Sequence, residues 1–129
     1  ALSLVWRDRR EIIGLCGTRC TRCGTPQYPA QRVCVNPDCG AIDEMEPYRF
    51  SDRKGKVFSF TGDLLSFTPH PPAIYALVDF DGGGRFWFDV TDCDLDSMRI
   101  DMPVELSFRK RYVDEKSGII GYFWKAVPA

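Results

Sequence analysis

A chain of 129 residues can build one modest hydrophobic core, or one core with a metal-stabilised segment beside it. Its 44% hydrophobic and 27% charged content is typical of a soluble globular protein, and no apolar run approaches the roughly 18 residues of a membrane span. The net charge of −1 argues against a dedicated nucleic-acid binder, because cationic side chains supply most of that affinity. Residues 1–35 nevertheless hold six arginines against two acidic residues, which predicts a solvated surface or, as the alternative, a basic N-terminal face for phosphate groups or an acidic partner.

The first thirteen residues have the pattern of a short amphipathic helix. Their apolar side chains fall on one helical stripe, with the charged side chains largely off it, and the stripe consists of Leu2, Val5, Trp6, Ile12 and Ile13. Glycines at positions 14 and 17 predict its end. We expect this helix to pack on its own domain, with a partner protein as the alternative.

Four of the six cysteines have the spacing of a metal site. Two residues separate Cys20 from Cys23, four separate Cys34 from Cys39, and a glycine follows each pair. Such a glycine lets the backbone fold over the sulfurs and donate N–H bonds to them. Four thiolates fill a tetrahedral shell, so the motif predicts a structural Zn²⁺ site, with iron as the main competitor. Without a signal peptide, this cysteine usage also predicts a cytoplasmic location.

From position 49 onward apolar residues recur with period two, which predicts half-buried strands. The five predicted strands span residues 57–67, 73–80, 85–90, 103–113 and 119–127. The alternation predicts that Phe58 and Phe108 face the core and that Ile120 and Tyr122 share the apolar face of the last strand. The acidic residues 41–48 predict a linker, so the chain divides into a helix and rubredoxin-like ribbon at 1–48 and a second domain at 49–129. The predicted class is mainly β, with a five-stranded OB-fold barrel as the second domain and a small open β-sandwich as the alternative.

No catalytic constellation emerges from the remaining residues. His70, the only histidine, lies among prolines and predicts an exposed loop. Cys93 lies among aspartates, which raise the pKa of a thiol and make it a poor nucleophile. Tyr75 and Trp87 are predicted to face outward, and with Arg85 they form a small stacking or docking patch.

Several motifs together resemble a known family. They are Cys20-Thr-Arg-Cys23-Gly24-Thr25 with the following Gln27-Tyr28-Pro29, and Trp87-Phe88-Asp89 with Met102-Pro103-Val104 in the barrel. The resemblance, which covers nearly the whole chain, is to the "domain of unknown function" family that accompanies thiolases. That family joins a rubredoxin-like zinc ribbon to an OB fold. The resemblance implies a non-catalytic accessory subunit of a thiolase-like acyl-CoA enzyme, in β-oxidation-type metabolism or aromatic or steroid side-chain degradation.

The resemblance also implies partners and contact residues. The partner would supply the nucleophilic cysteine and the acid–base histidine, and two copies of each chain would form a heterotetramer with acyl-CoA at the interface and no membrane contact. The arginines expected to meet CoA phosphates are Arg7, Arg9, Arg10, Arg19, Arg22 and Arg32. The aromatic residues expected to dock the partner are Trp6, Tyr28, Tyr75 and Trp87. Two rival hypotheses are a zinc-ribbon/OB-fold module for single-stranded nucleic acid, and an autonomous enzyme that uses Cys93 and His70.

Overall fold

The computed structural model describes residues 2–129. Two short helices, α1 (Leu2–Arg7) and α2 (Arg9–Ile12), precede the ribbon strands β1 (Cys16–Cys20), β2 (Pro26–Gln27) and β3 (Met45–Arg49). The barrel strands follow as β4 (Gly55–Asp63), β5 (Ala73–Phe80), β6 (Arg85–Asp89), β7 (Pro103–Asp114) and β8 (Ile119–Pro128), with a 3₁₀ turn at Leu95–Ser97. The predicted mainly β class is confirmed. No helix within residues 2–129 is long and apolar enough to cross a membrane.

Two antiparallel sheets organise these strands. The ribbon sheet has the order β2-β1-β3, and the second sheet has the order β6-β5-β4-β7-β8. A parallel bridge between Val90 and Ala126 brings the two ends of the second sheet together. This closure produces the predicted OB-fold barrel.

The acidic segment before the barrel is not a linker. Residues 45–49 form β3, which pairs with β1 along its whole length, from Cys16 opposite Arg49 to Cys20 opposite Met45. The linker prediction for residues 41–48 is therefore wrong. Most side chains of β3 are exposed, so the strand shows little apolar alternation, and its backbone pairing was not visible in the sequence pattern.

The N-terminal segment is two helices rather than one, with a break at Asp8. Helix α1 buries none of its residues: Leu2 is 64% exposed and Trp6 is 68% exposed. The expectation that this stripe packs on its own domain is therefore wrong for α1, and the alternative of a partner protein remains.

A β-bulge changes which aromatic residues of β4 face the core. The register shifts between Val57 and Ser59, so Val57 stays buried and the next inward side chain is Phe60. Phe58, predicted to fill the barrel, is exposed instead, with the Arg85 guanidinium 3.8 Å above the centre of its ring.

The β7–β8 hairpin projects beyond the barrel. Strand β4 pairs with β7 only at Gly55 and Lys56, whereas β7 and β8 pair from Val104 opposite Pro128 out to Asp114 opposite Ile119. Phe108, predicted to face inward, is 40% exposed because the barrel has ended at that level.

One aromatic ring joins the ribbon to the barrel. Phe50 is completely buried, with ring centroids 4.9 Å from Tyr48 of the ribbon and 5.0 Å from Phe80 of the barrel. Glycines make room for it, since a Cβ on Gly84 would lie 2.5 Å from the ring and one on Gly17 would lie 2.9 Å from it. The ribbon and barrel therefore share one hydrophobic core.

We expect Phe50→Ala to lower the free energy of unfolding by about 3–5 kcal/mol, because it removes a fully buried ring shared by both sheets. Urea unfolding followed by circular dichroism measures the change. Phe67→Ala is the matched control, since Phe67 is fully exposed and its loss should change stability by less than about 0.5 kcal/mol. Equal effects of the two substitutions would contradict the assignment of Phe50 as the junction.

Candidate metal centre

The four predicted cysteine ligands converge on one point. All four sulfur atoms lie within 4.8 Å of one another, with 3.8 Å between Cys20 and Cys39 and 3.4 Å between Cys23 and Cys34. Zinc–sulfur bonds of 2.3 Å in a tetrahedron separate the sulfurs by about 3.8 Å, so this arrangement fits Zn²⁺. A shell of four protein sulfurs leaves no position for water or substrate, which makes the site structural rather than catalytic.

The backbone of each knuckle is shaped around its sulfurs. Gly24 and Gly40 both adopt positive φ, 79° and 62°, a conformation that side-chain-bearing residues rarely take. Three backbone N–H groups point at sulfurs: Thr25 at Cys23, Asn36 at Cys34 and Ala41 at Cys39. These donors stabilise thiolates, which are the form that binds a metal.

The surroundings of two of the sulfurs shift their thiol pKa values in opposite directions. The Thr25 hydroxyl, 3.1 Å from the Cys23 sulfur, lowers the pKa of this exposed thiol to about 6. Burial raises the pKa of Cys34 to about 12. A bound divalent cation favours the thiolate form of all four ligands, so metal binding releases protons from the cluster.

The arginines predicted to meet CoA phosphates are divided between ion pairs and open positions. Arg32 forms a bidentate pair with Asp43, with both distances at 2.7 Å, and Arg22 lies 3.4 Å from Glu44. The remaining predicted arginines are Arg7, Arg9, Arg10 and Arg19. The Arg9 guanidinium lies 4.2 Å from the centre of the Trp6 ring and donates to the Trp6 carbonyl. Arg19 donates to the Gly24 carbonyl. Arg7 and Arg10 make no ion pair within residues 2–129.

The four predicted docking aromatics are not gathered on one surface. Trp6 lies exposed on α1, whereas Tyr75 and Trp87 lie on the outer face of β5 and β6. Tyr28 instead packs inward, with its ring 4.7 Å from Phe86, and its hydroxyl donates to the Glu11 carbonyl. Burial and the nearby Glu11 charge raise the pKa of Tyr28 to about 12. Tyr28 therefore braces α2 against the barrel and offers little free surface.

The residues of the rival enzyme hypothesis are not brought together. The sulfur of Cys93 lies 3.7 Å from the Met98 sulfur, and burial, with the Asp94 charge, raises the pKa of the thiol. His70 is exposed, and its ring makes no hydrogen bond within the described part of the chain.

The sequence reasoning missed two exposed apolar regions. Leu64, Leu65 and Phe67, assigned to the first predicted strand, lie in a loop after β4 and are at least 74% exposed. The outer half of the β7–β8 hairpin exposes Ile120 and Tyr122, whose alternation predicted burial. Strands β7 and β8 have 12 and 10 residues, so their outer ends extend beyond a small barrel. The length of the apolar alternation is the feature of the sequence that indicates this extension.

Comparison with known proteins gives the family. The ChsH2 rubredoxin-like zinc ribbon domain matches residues 8–43, and the ChsH2 C-terminal OB-fold domain matches residues 48–109. A DUF35 domain-containing scaffold protein of Methanocaldococcus jannaschii is 32% identical over 95% of this chain and 87% of the relative. The chain belongs to the DUF35 family. A second, from Methanothermobacter thermautotrophicus, is 31% identical over 95% of this chain and 92% of the relative.

A solved structure has the same fold. The superposition has a TM-score of 0.69 and covers 98% of this DUF35 chain and 92% of the other, at 22% sequence identity. The matching structure is described as an Ltp2-ChsH2(DUF35) aldolase. The zinc ribbon followed by an OB fold that the motifs implied is thus confirmed for this chain.

We expect Cys20→Ser to abolish zinc binding and unfold residues 14–48, because the ribbon has only three small buried residues of its own and the metal supplies its folding energy. Zinc content by atomic emission and limited proteolysis measure the two effects. Cys93→Ser, outside the cluster, should keep one zinc per chain. Unchanged protease resistance in Cys20→Ser would contradict a metal-dependent ribbon.

Proposed function

We propose that this DUF35 protein is a non-catalytic scaffold subunit of a thiolase-like acyl-CoA enzyme, stabilising that partner and helping to form its acyl-CoA site. The observation that carries the proposal is the closed metal centre. Within residues 2–129 the one cluster of metal-binding side chains consists of four cysteines. Four sulfurs fill a tetrahedral metal shell and leave no coordination position for a substrate. Cys93 and His70, the two residues of the rival enzyme hypothesis, make no hydrogen bond to each other.

The names of similar proteins support the same role. The archaeal relatives are called scaffold proteins, and the matching structure pairs a DUF35 chain with Ltp2 in an aldolase. Under the proposal, two copies of this chain flank a dimeric partner, and the partner carries the reacting cysteine and histidine. The acyl group then depends on the partner.

The rival hypothesis, a binding module for single-stranded nucleic acid, has less support than the scaffold proposal. The outer face of β5 and β6 carries aromatic rings suited to stacking, Tyr75 and Trp87, but Arg85 on that face is paired with Asp79. A neutralised arginine offers little attraction for phosphates, which supply most of the affinity for single strands.

We expect the tagged chain, purified from its host, to bring with it a thiolase-like protein in a one-to-one ratio. Mass spectrometry of the eluate identifies the protein, and native mass spectrometry gives the stoichiometry. A Cys20→Ser chain is the control for dependence on the folded ribbon. Recovery with nucleic acid instead, or turnover of an acyl-CoA by the purified chain alone, would contradict the proposal.

A contact with CoA phosphates is part of the proposal, and Arg7 and Arg10 are its best-placed residues because neither has an ion-pair partner within residues 2–129. We expect Arg7→Ala with Arg10→Ala to raise the dissociation constant of CoA for the complex about tenfold or more. Arg32→Ala is the matched control, since Asp43 already neutralises that side chain. Isothermal titration calorimetry measures the CoA dissociation constant of the unsubstituted complex and of each variant. Equal dissociation constants for all of them would contradict a contact between CoA and Arg7 or Arg10.

A further inference from the structure

The outer part of the β7–β8 hairpin continues the core face of the barrel into solvent. The register pairs Phe108 with Trp124, Lys110 with Tyr122, and Val113 with Ile120. Because alternate residues of a strand share a face, these side chains lie on the same face as Leu106 and Ala126, which pack in the barrel core. Beyond the barrel the side chains of Phe108, Val113, Ile120 and Tyr122 on that face are 40–52% exposed.

The end of the helical segment lies against this face. The indole N–H of Trp124 donates to the Ile13 carbonyl at 2.7 Å. The Phe108 ring stacks on Tyr122 at a centroid distance of 5.8 Å and is tilted against Trp124 at 5.1 Å. Ile13 is 44% exposed. We call Ile13, Phe108, Val113, Ile120 and Tyr122 the hairpin–helix surface.

The exposed side chains of this surface form an apolar patch. An aromatic residue buries about 150–250 Å², so the exposed fractions of Phe108 and Tyr122 together amount to roughly 200 Å². Ile13, Val113 and Ile120, each 44–49% exposed, add aliphatic area to this patch. A contiguous apolar patch of a few hundred Å² is about the largest that a typical monomer exposes, and such patches are often functional.

The charges around the surface select the kind of partner. Residues 105–125 carry five basic and three acidic side chains, although the whole chain has a net charge of −1. Lys110 lies on the apolar face itself and is in no ion pair within the described residues. A symmetric contact between two copies of this chain brings like patches together, which the unpaired Lys110 ammonium groups disfavour.

We infer that the hairpin–helix surface docks into an apolar groove bordered by carboxylates on a different protein subunit. This inference rests on the proposed function, under which that subunit is the thiolase-like partner. The groove receives Tyr122, Ile120 and Phe108, and its carboxylates meet Lys110. The exposed loop at Leu65 and Phe67 lies outside this surface and serves as the comparison site.

The test places a photo-crosslinking benzophenone amino acid at position 122 in one sample of the purified complex and at position 65 in another. We expect position 122, and not position 65, to crosslink to a carboxylate-containing segment of the partner. Crosslinking only from position 65, or between two copies of this chain from position 122, would overturn the inference. If position 65 alone crosslinks to a thiolase-like partner, the hairpin–helix surface is not the docking site, but the proposed function stands. If position 122 crosslinks to a partner of another class, the hairpin–helix surface is a docking site, but the proposed function is wrong.

Affinity measurements with exposed-site variants complete the test. We expect Ile120→Asp with Tyr122→Asp to weaken the complex at least about thirtyfold, the loss typical of a central interface residue. Leu65→Asp with Phe67→Asp is the matched control and should weaken it less than threefold. Zinc content and the unfolding midpoint of each free variant establish that it is folded, and equal weakening by both pairs in folded variants would overturn the inference.

Discussion

The burial of one ring, Phe50, is the constraint on which the arrangement of this protein depends. The ribbon alone buries too few side chains to hold a fixed position, and the barrel alone would expose the ring of Phe80 where Phe50 now covers it. Tyr28 and Tyr48 reach the same ring from the ribbon side. Because this ring and its neighbours interlock, the ribbon sheet and the barrel share one packed core, whereas the residues around the cysteine sulfurs form a small cluster of their own.

A shared core of this kind suits the proposed scaffold role. All four cysteine sulfurs face one metal position, and the barrel interior is filled with side chains. The fold leaves exposed a long hairpin, helix α1 and the unpaired cations Arg7, Arg10 and Lys110. Under the proposal these elements face the partner subunit and its CoA, and the packed core supports the hairpin.

The parts that could be read from the sequence are those with a local physical cause. Cysteine spacing and the following glycines predicted the metal ligands, and period two located all five barrel strands to within a few residues. The errors have non-local causes. Strand β3 forms because β1 lies beside it, a bulge turns Phe58 outward, and Phe108 is exposed because the barrel ends beneath it. Period two reports which side chains share a face, and it does not report whether anything covers that face.

The two glycine turns of the barrel differ in what surrounds them. In the β5–β6 turn, a side chain at Gly83 would meet Pro26 at 2.9 Å, so the ribbon limits both the length and the composition of that turn. At the β7–β8 turn a Cβ on Gly118 would meet nothing within 4 Å, and only its φ of 72° favours glycine there. Within this chain alone, extra residues are therefore sterically admissible at the hairpin tip and excluded at the ribbon-facing turn. One turn is part of the internal packing, and the size of the other is limited only by what docks against the hairpin.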